Sequence, residues 1–309
     1  MKTSIIETTK LLSILTLSTT LLITGCGSEN GTNDNDSFTI VEGTDLNRKT
    51  FPDLSLNPAV PSASNQSLRA GDVLTAEPDI DSVIIGGLGV DVLVGNSGND
   101  IMIGGTEDFN SNVDGDDKDA DNRDRAFGYQ GDDVFIWAPG DGSDFFDGGD
   151  GVDVLILGKL GEKTDSNGTT DGAPFFNVNP PGTTGSQDFD GIFLDEANKP
   201  IVSVSTSPGF CSLLESANYS EEFSLLNIDH IVRFSLTDIA NAFDAGEKTN
   251  DDGLRVAVTI KNVEFLVCTS RDKQTDGGLD NVTVLNLTTT PASVALLSQI
   301  PDYVAQMIQ

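Results

Sequence analysis

A nine-residue period between residues 86 and 156 constrains the fold of this 309-residue chain more than any other feature. Each unit has a glycine-rich first half, an Asp at its sixth position and a closing triplet with an apolar centre. A glycine-rich segment favours turns, and the triplet favours a short strand, so the pattern predicts a coil of short strands. A dinucleotide-binding loop is excluded, because a short strand and not a helix follows each glycine cluster. The units are GGLGVDVLV at 86–94, GNSGNDIMI at 95–103, GYQGDDVFI at 128–136, PGDGSDFFD at 139–147 and GGDGVDVLI at 148–156.

A sixth unit is interrupted by an acidic insertion. It begins at Gly104 and ends at Phe127, a span of 24 residues that equals nine plus an insertion of 15 at 107–121. The insertion contains seven acidic residues, whose spacing departs from that of a helix–loop–helix calcium loop. With this unit included, the aspartates at the sixth position are Asp91, Asp100, Asp124, Asp133, Asp144 and Asp153.

The spacing of glycine and aspartate favours a cation site. Glycine lets the backbone curl until its carbonyl groups point inward, and the Asp adds a carboxylate to the same ring of oxygens. Ca²⁺ prefers six to eight oxygen ligands in a flexible arrangement. The alternative is a glycine-rich surface array that binds no ion.

This pattern resembles the RTX, or haemolysin-type, family of calcium-binding repeats, over about a quarter of the chain. The resemblance implies an all-β fold with a short right-handed parallel β-roll at residues 77–158, in which two units make one coil. Ions then lie between stacked turns, which pairs Asp100 with Asp133, Asp133 with Asp153, Asp91 with Asp124, and Asp124 with Asp144. The glycines implied in the calcium sites are Gly86, Gly89, Gly95, Gly98, Gly128, Gly131, Gly140, Gly142, Gly148 and Gly151.

The residues that flank each triplet centre predict which faces are covered. We number the six units in chain order, so the interrupted unit at 104–127 is the third. In the even-numbered units the flanking residues are Ile101, Ile103, Val134, Ile136, Val154 and Ile156, whereas those of the odd-numbered units include Arg125 and Asp147. A strand that is apolar on both faces is usually covered on both. We therefore expect the region after residue 158 to pack on the sheet of the even units. The alternative is an exposed patch that binds a partner.

The N-terminus has the pattern of an export signal. Residues 11–23 form an apolar run that is too short to span a bilayer and typical of a signal peptide. The following Thr24-Gly25-Cys26 resembles the lipobox of bacterial lipoproteins. The resemblance implies a signal peptide at 1–25, lipidation of Cys26 and, since Gly27 follows, an outer-membrane destination, on either its periplasmic or its surface face. Residues 26–76 would form a tether and a weakly patterned segment. The alternative is cleavage elsewhere, which would leave Cys26 unmodified.

The net charge of −32 restricts the partners of the chain. Nucleic acids and anionic lipid head groups need a basic surface, so both are excluded as electrostatic partners. Charge repulsion of this size destabilises a compact state unless cations neutralise it.

Residues 159–309 predict a β-rich C-terminal region with short helices. Export to an oxidising compartment favours a disulfide between Cys211 and Cys268, with two buried free thiols as the alternative. Two segments here share the pattern x-Asn-apolar-acid-x-apolar-Val, at 226–232 and 261–267, which indicates two related strands or a chance similarity. A helix is predicted at 236–243, and a second helical stretch at 294–308 with a break at Pro301.

The chain contains none of the common catalytic motifs, and His230 is its only histidine. We therefore expect a calcium-binding, lipid-anchored cell-envelope protein with a structural or adhesive role, and not an enzyme. Calcium would be required for folding of the repeats. The alternative is an envelope hydrolase that uses carboxylates of the C-terminal region and is stabilised by the repeats. The sequence does not identify a protein or glycan partner.

Overall fold

The computed structural model describes residues 37–43, 72–86, 91–104, 124–138, 142–160, 192, 194–215, 227–246, 257–271 and 281–308. Within these ranges the chain is mostly β-strand, as the repeat pattern predicts, and two mixed sheets contain nearly all of the strands. Cys26, Gly89, Gly140 and the insertion at 107–121 lie outside the described residues.

The even sheet contains the strands of the even-numbered units. Its eight strands, in spatial order, are β1 (Thr39–Glu42), β3 (Ser82–Ile85), β5 (Ile101–Ile103), β7 (Val134–Trp137), β9 (Val154–Leu157), β15 (Phe265–Thr269), β16 (Val282–Asn286) and β17 (Ser293–Ala295). Pairing is parallel from β1 to β15, and antiparallel from β15 to β17.

The odd sheet contains the strands of the odd-numbered units. Its seven strands, in spatial order, are β12 (Gly209–Glu215), β13 (His230–Leu236), β14 (Ala257–Lys261), β8 (Phe145–Asp150), β6 (Arg125–Gln130), β4 (Val92–Ser97) and β2 (Val73–Thr75). Pairing is parallel from β2 to β14 and antiparallel beyond it. A small separate pair joins β10 (Lys159–Leu160) to β11 (Val202–Ser203).

The C-terminal region joins both sheets directly, and this differs from the sequence expectation of a purely parallel coil packed against a separate region. β14 pairs with the last odd repeat strand, and β15 with the last even one. Because backbone groups at a sheet edge need partners, adding strands satisfies the exposed edge of the repeats, which packing on a face would leave open.

The centres of the triplets face a core between the two sheets. Leu93, Met102, Phe135, Phe146 and Leu155 are fully buried there, and the Phe135 and Phe146 rings stack at 5.6 Å. This alternation follows from the two-residue period of a strand, which places the middle residue of each triplet on the inner face.

The outer face of the even sheet is covered, as its apolar flanking residues predict. Ile101, Ile136 and Ile156 belong to a second core together with C-terminal residues such as Val202 and Val304. Two helices are described, α1 (Thr237–Asp244) and α2 (Asp302–Met307), and a 3₁₀ turn spans Leu297–Gln299. The first agrees with its prediction to within one residue. The predicted second stretch at 294–308 is helical at 297–299 and 302–307, with Pro301 at the predicted break, whereas its start belongs to the strand Ser293–Ala295. No helix of the described residues is long and apolar enough to cross a membrane.

Candidate metal centre

The six repeat aspartates are buried at the turns that precede the repeat strands, and none is more than 2% exposed. An acidic side chain is rarely buried so completely without a partner. Because consecutive turns of one sheet stack on each other, the aspartates form two columns, one for each sheet.

The Asp100 column precedes the strands of the even sheet. The backbone N–H of Ser82 donates to Oδ1 of Asp100, and the N–H of Asp100 donates to Oδ1 of Asp133, both at 2.8 Å. The N–H of Asp133 donates to Oδ1 of Asp153 at 2.8 Å. The N–H of Asp153 then donates at the same distance to Oε2 of Glu264, which lies outside the repeats.

The Asp91 column precedes the strands of the odd sheet. The N–H of Asp72 donates to Oδ1 of Asp91 at 2.6 Å, and that of Asp91 to Oδ1 of Asp124 at 2.7 Å. The N–H of Asp124 donates to Oδ1 of Asp144 at 2.9 Å. The four aspartate pairs expected from the repeat are therefore all neighbours, including the two that involve the interrupted unit.

The second carboxylate oxygen has no hydrogen-bond partner in five of the six repeat aspartates. These buried Oδ2 atoms belong to Asp91, Asp100, Asp133, Asp144 and Asp153. A buried carboxylate oxygen without a partner is costly, and native proteins usually satisfy such a group with a hydrogen bond or a cation. The two columns thus contain a series of oxygens that lack a positive partner within the described residues.

Burial raises the pKa of these carboxyl groups above the ordinary value of 3.8. The pKa of Asp91 rises to about 6, and those of Asp100 and Asp133 to about 7. For Asp153 the pKa rises to about 8, and burial also raises that of Asp144. Neighbouring acids add to the effect of burial in the Asp100 column, where Asp100 and Asp132 act on Asp133.

The first glycine of a unit provides the space in which oxygens converge. A Cβ atom at Gly128 would lie 2.2 Å from Oδ2 of Asp133 and 2.4 Å from the carbonyl oxygen of Gly148. At Gly148, the corresponding point lies 2.4 Å from Oδ2 of Asp153 and 2.3 Å from the Asn262 carbonyl oxygen. Gly86 and Gly95 show the same convergence with Asp91 and Asp100. A side chain at these positions would therefore displace the oxygens.

The fourth position of a unit requires glycine for its backbone conformation. Gly98, Gly131, Gly142 and Gly151 have φ values of +137°, +131°, +91° and +153°. A Cβ atom at Gly131 would also lie 1.7 Å from the carbonyl oxygen of Gly98. The second position also has positive φ but does not require glycine, since Asn96 and Tyr129 occupy it at +81° and +72°. Positive φ therefore occurs at the second and fourth positions and requires glycine at the fourth, whereas the first position needs glycine for space.

A second set of hydrogen bonds runs beside the Asp100 column, one residue earlier in each turn. The N–H of Asn99 donates to Oδ1 of Asp81, and the N–H of Asp132 donates to Oδ1 of Asn99, at 2.8 and 2.9 Å. The N–H of Val152 donates to Oδ1 of Asp132 at 2.9 Å. These bonds point along the column in the opposite direction to those of the aspartates. The repeat motif does not predict these bonds, although the polar fifth residues of two units, Asn99 and Asp132, are a visible signal for them.

The donor set fits a hard divalent cation, because it consists of carboxylate and backbone carbonyl oxygens. Among the described residues there is no cluster of three or more His, Cys, Asp or Glu side chains that could hold a metal ion. A site here would therefore depend on backbone carbonyls, with one carboxylate from each turn. This composition suits Ca²⁺ better than Zn²⁺, which favours nitrogen and sulfur ligands.

The predicted disulfide is present between Cys211 of β12 and Cys268 of β15, with a Cα–Cα distance of 6.0 Å. It joins the odd sheet to the even sheet beyond the repeats. In the chain-entropy view, a link across 57 residues stabilises the fold by about 4 kcal/mol.

The outer face of the odd sheet contains an open aromatic groove. The Phe127 ring lies 5.8 Å from Phe145 and 6.3 Å from Tyr129, which is 56% exposed. Lys261 Nζ and Asn262 Nδ2 both donate to the Asp147 carboxylate at 2.8 Å. The groove has a volume of about 260 Å³ and is lined by Phe127, Tyr129, Asp147, Gly149, Asp150 and Asn262.

Several carboxylates of the C-terminal region make structural contacts. Asp195 accepts the N–H groups of Ala197 and Lys199 within a turn, and Asp229 accepts that of Asn262. Asp244 forms an ion pair with Arg271.

Comparison with protein families, with curated proteins and with solved structures finds no match to this chain.

Proposed function

We propose that this chain is a calcium-binding, lipid-anchored protein of the cell envelope, with a structural or adhesive role, whose repeats fold as a β-roll around Ca²⁺. The observation that carries the proposal is the series of five buried Oδ2 atoms without partners, four of which lie beside a backbone carbonyl oxygen of a stacked turn. The parallel pairing of the repeat strands and the resemblance of the units to RTX repeats support it.

Calcium would supply the positive charge that the two columns lack. The ligands are the six repeat aspartates together with carbonyl groups of the stacked turns, such as those of Gly104, Gly128 and Gly148. Because the ions bind only the folded turns, their binding free energy adds to the free energy of folding. The net charge of −32 makes the chain especially dependent on this neutralisation.

Calorimetry and circular dichroism of the purified protein, with and without a chelator, test the proposal. Extracellular calcium modules bind at about 10⁻⁴–10⁻³ M, so millimolar calcium should release or absorb measurable heat and raise the melting temperature. Chelation should unfold the repeats first. Identical spectra and melting in both conditions, with no heat of binding, would contradict the proposal.

Lipid anchoring rests on the lipobox-like residues before Cys26. Two or three acyl chains hold a protein stably on a membrane, whereas one chain does not. We expect the Cys26→Ser variant to be released from membranes or to stay unprocessed. Membrane fractionation that gives a normal mature size in the membrane pellet would contradict the anchor.

The aromatic groove on the odd sheet supports the adhesive form of the role. Its Tyr129 ring is exposed and its Phe127 ring is half-buried, whereas the outer face of the even sheet is covered by the C-terminal region. Exposed aromatic side chains next to fixed polar groups are typical of binding surfaces. The hydrolase alternative has less support, since the carboxylates described above contribute to turns, a strand connection and an ion pair.

A further inference from the structure

The turn between β14 and β15 occupies the place of a repeat turn without having the repeat sequence. In the sheet registers Lys261 pairs with Asp147, and Phe265 pairs with Val154. Between these pairs the repeat has six residues, 148–153, whereas the C-terminal turn has only three, 262–264. The two turns therefore stack directly although they differ in length.

Glu264 takes the position that an aspartate occupies in the repeats. Its Oε2 accepts the N–H of Asp153 at 2.8 Å, the distance at which Asp153 accepts the N–H of Asp133. The glutamate side chain is one methylene longer than that of aspartate, which compensates for the shorter turn. Asp132 and Asp229 lie close enough to Glu264 to add to the effect of burial on its pKa, which is raised.

The backbone of this turn also matches that of the repeats. Asn262 has a φ of +50°, in the same region as Asn96 and Tyr129. Its carbonyl oxygen lies 2.3 Å from the point where a Cβ of Gly148 would stand, and Oδ2 of Asp153 lies 2.4 Å from that point. This Oδ2 atom is buried without a hydrogen-bond partner, so it is free to contact a cation between the two turns.

The other column ends differently. Thr259 pairs with Phe145, so Val258 stands opposite Asp144, the last aspartate of the Asp91 column. Val258 is buried and apolar, and the N–H of Thr259 donates to the backbone carbonyl of Asp144 instead. The same extension by C-terminal strands thus supplies a carboxylate to one column and none to the other.

We propose that the turn at 262–264 forms an additional calcium site with the turn at 148–153, with Glu264, Asp153 and the Asn262 carbonyl among its ligands. This inference rests on the proposed calcium function, and extends it to a segment that the repeat motif does not include. It also adds calcium binding to the strand pairing that joins the last repeat to the C-terminal region.

Counting bound calcium ions in the purified protein, by calorimetric titration and by metal analysis after equilibrium dialysis, tests this site. Glu264→Gln keeps an oxygen that can accept the Asp153 N–H but removes the charge, so we expect one ion fewer per chain and little change at the other sites. The matched control is Asp229→Asn, which removes a nearby charge outside the ligand set but keeps an oxygen that can accept the Asn262 N–H, so it should keep the ion count of the unmodified protein.

The outcomes separate this inference from the proposed function. If the unmodified protein binds no calcium, both fail. If it binds calcium and Glu264→Gln binds the same number of ions with the same affinities, Glu264 is only a hydrogen-bond acceptor and the additional site is wrong. If Glu264→Gln does not fold in calcium, the Glu264→Asp variant replaces it. Its carboxylate is too short to reach from a three-residue turn, so it should also lose one ion, and an unchanged count would overturn the site.

Discussion

The two aspartate columns are built from the same repeat and extended by the same C-terminal region, but their ends differ. The Asp100 column begins at Ser82 and closes at the carboxylate of Glu264. The Asp91 column begins at Asp72, contains the interrupted unit and ends at Asp144, opposite the apolar Val258. Strand pairing alone therefore does not determine where carboxylates are placed, because the residue at one turn position decides whether a column continues.

The Asp91 column also tolerates an insertion within one of its turns. The insertion at 107–121 separates Asp91 from Asp124 in sequence, yet the N–H of Asp91 reaches Oδ1 of Asp124 at 2.7 Å. Parallel pairing of β4 with β6 fixes the register on one side of the turn. An insertion between the first glycines and the Asp can leave the stacked position of the Asp unchanged, because loops tolerate added length at small entropic cost.

The largest effect should come from pH in the absence of calcium, because pH acts on both columns at once. A carboxyl group whose pKa is raised by folding stabilises the fold below its unfolded pKa near 3.8, and this contribution is lost as pH rises through the folded value. We expect the melting temperature in chelator to fall as pH rises from about 4 to about 8. The decrease due to Asp91 should be complete near pH 6, and the decreases due to Asp100 and Asp153 near pH 7–8.

Saturating calcium provides the control for this pH dependence. Calcium binds the ionised carboxylates, so it should remove most of the loss of stability and bind more tightly as pH rises. The Asp91→Asn variant should lose only the part of the decrease that lies between about pH 4 and 6. A metal-free protein whose stability increases from pH 5 to 8.5 would contradict the buried, unpartnered carboxylates.

The next effect concerns the backbone of the Asp100 column. Gly131→Ala combines a φ of +131° with a Cβ position 1.7 Å from the Gly98 carbonyl oxygen, so we expect a loss on the order of 4 kcal/mol in denaturant unfolding. The control is Gly246→Ala, which has a φ of +74° but open space around its Cβ position. It should cost about 1 kcal/mol. Equal losses for the two variants would show that the close stacking of turns is wrong.

Sequence analysis predicted the features that depend on a fixed period. A strand alternates its faces, so the inward position of Phe135 and the outward position of Ile136 follow from the triplet alone. A coil of two units places Asp133 between Asp100 and Asp153, and this relation also survives an insertion. These features needed only the spacing of residues along the chain.

The ends of the columns could not be predicted, because they depend on sheet register over long sequence separations. Glu264 lies 111 residues from the Asp153 N–H that it accepts, in a turn of a different length and without glycine. The shared pattern at 226–232 and 261–267 includes this turn, but the pattern alone indicates two related strands or a chance similarity. Asp72, which also lies outside the repeats, begins the Asp91 column. Asp91 therefore has a neighbour on each side, Asp72 and Asp124.

A smaller effect should separate the middle of a column from its end. Asp133→Asn keeps an oxygen that can accept the Asp100 N–H but removes a charge that stands between two other carboxylates. In chelator we expect this variant to be more stable than the unmodified protein by roughly 1–3 kcal/mol, because a buried charge is removed. In calcium we expect the opposite sign, with two ion sites weakened.

Asp144→Asn is the matched variant at the end of the Asp91 column. Its neighbour on one side is Asp124, and on the other side Val258 stands opposite it, so only one ion site should weaken. Calorimetric titration of both variants measures the difference. Equal calcium deficits would contradict the difference between middle and end positions, and a loss of stability for Asp133→Asn in chelator would contradict the destabilising charge.

The smallest effect concerns the contact between α2 and the Asp100 column. The Tyr303 hydroxyl donates to the carbonyl oxygen of Asp132, the residue before Asp133, and the Tyr303 ring lies 5.7 Å from Phe38. Burial raises the pKa of Tyr303 well above its usual range, which keeps the hydroxyl protonated as a donor.

Tyr303→Phe should lower the free energy of unfolding by about 1 kcal/mol, since it leaves the carbonyl without this donor. Tyr129→Phe, on the exposed face of the odd sheet, should change it by less than about 0.5 kcal/mol. If the two variants are equally stable in denaturant titrations, α2 covers the turn without holding it, and the Asp100 column then depends on its own hydrogen bonds and on Glu264.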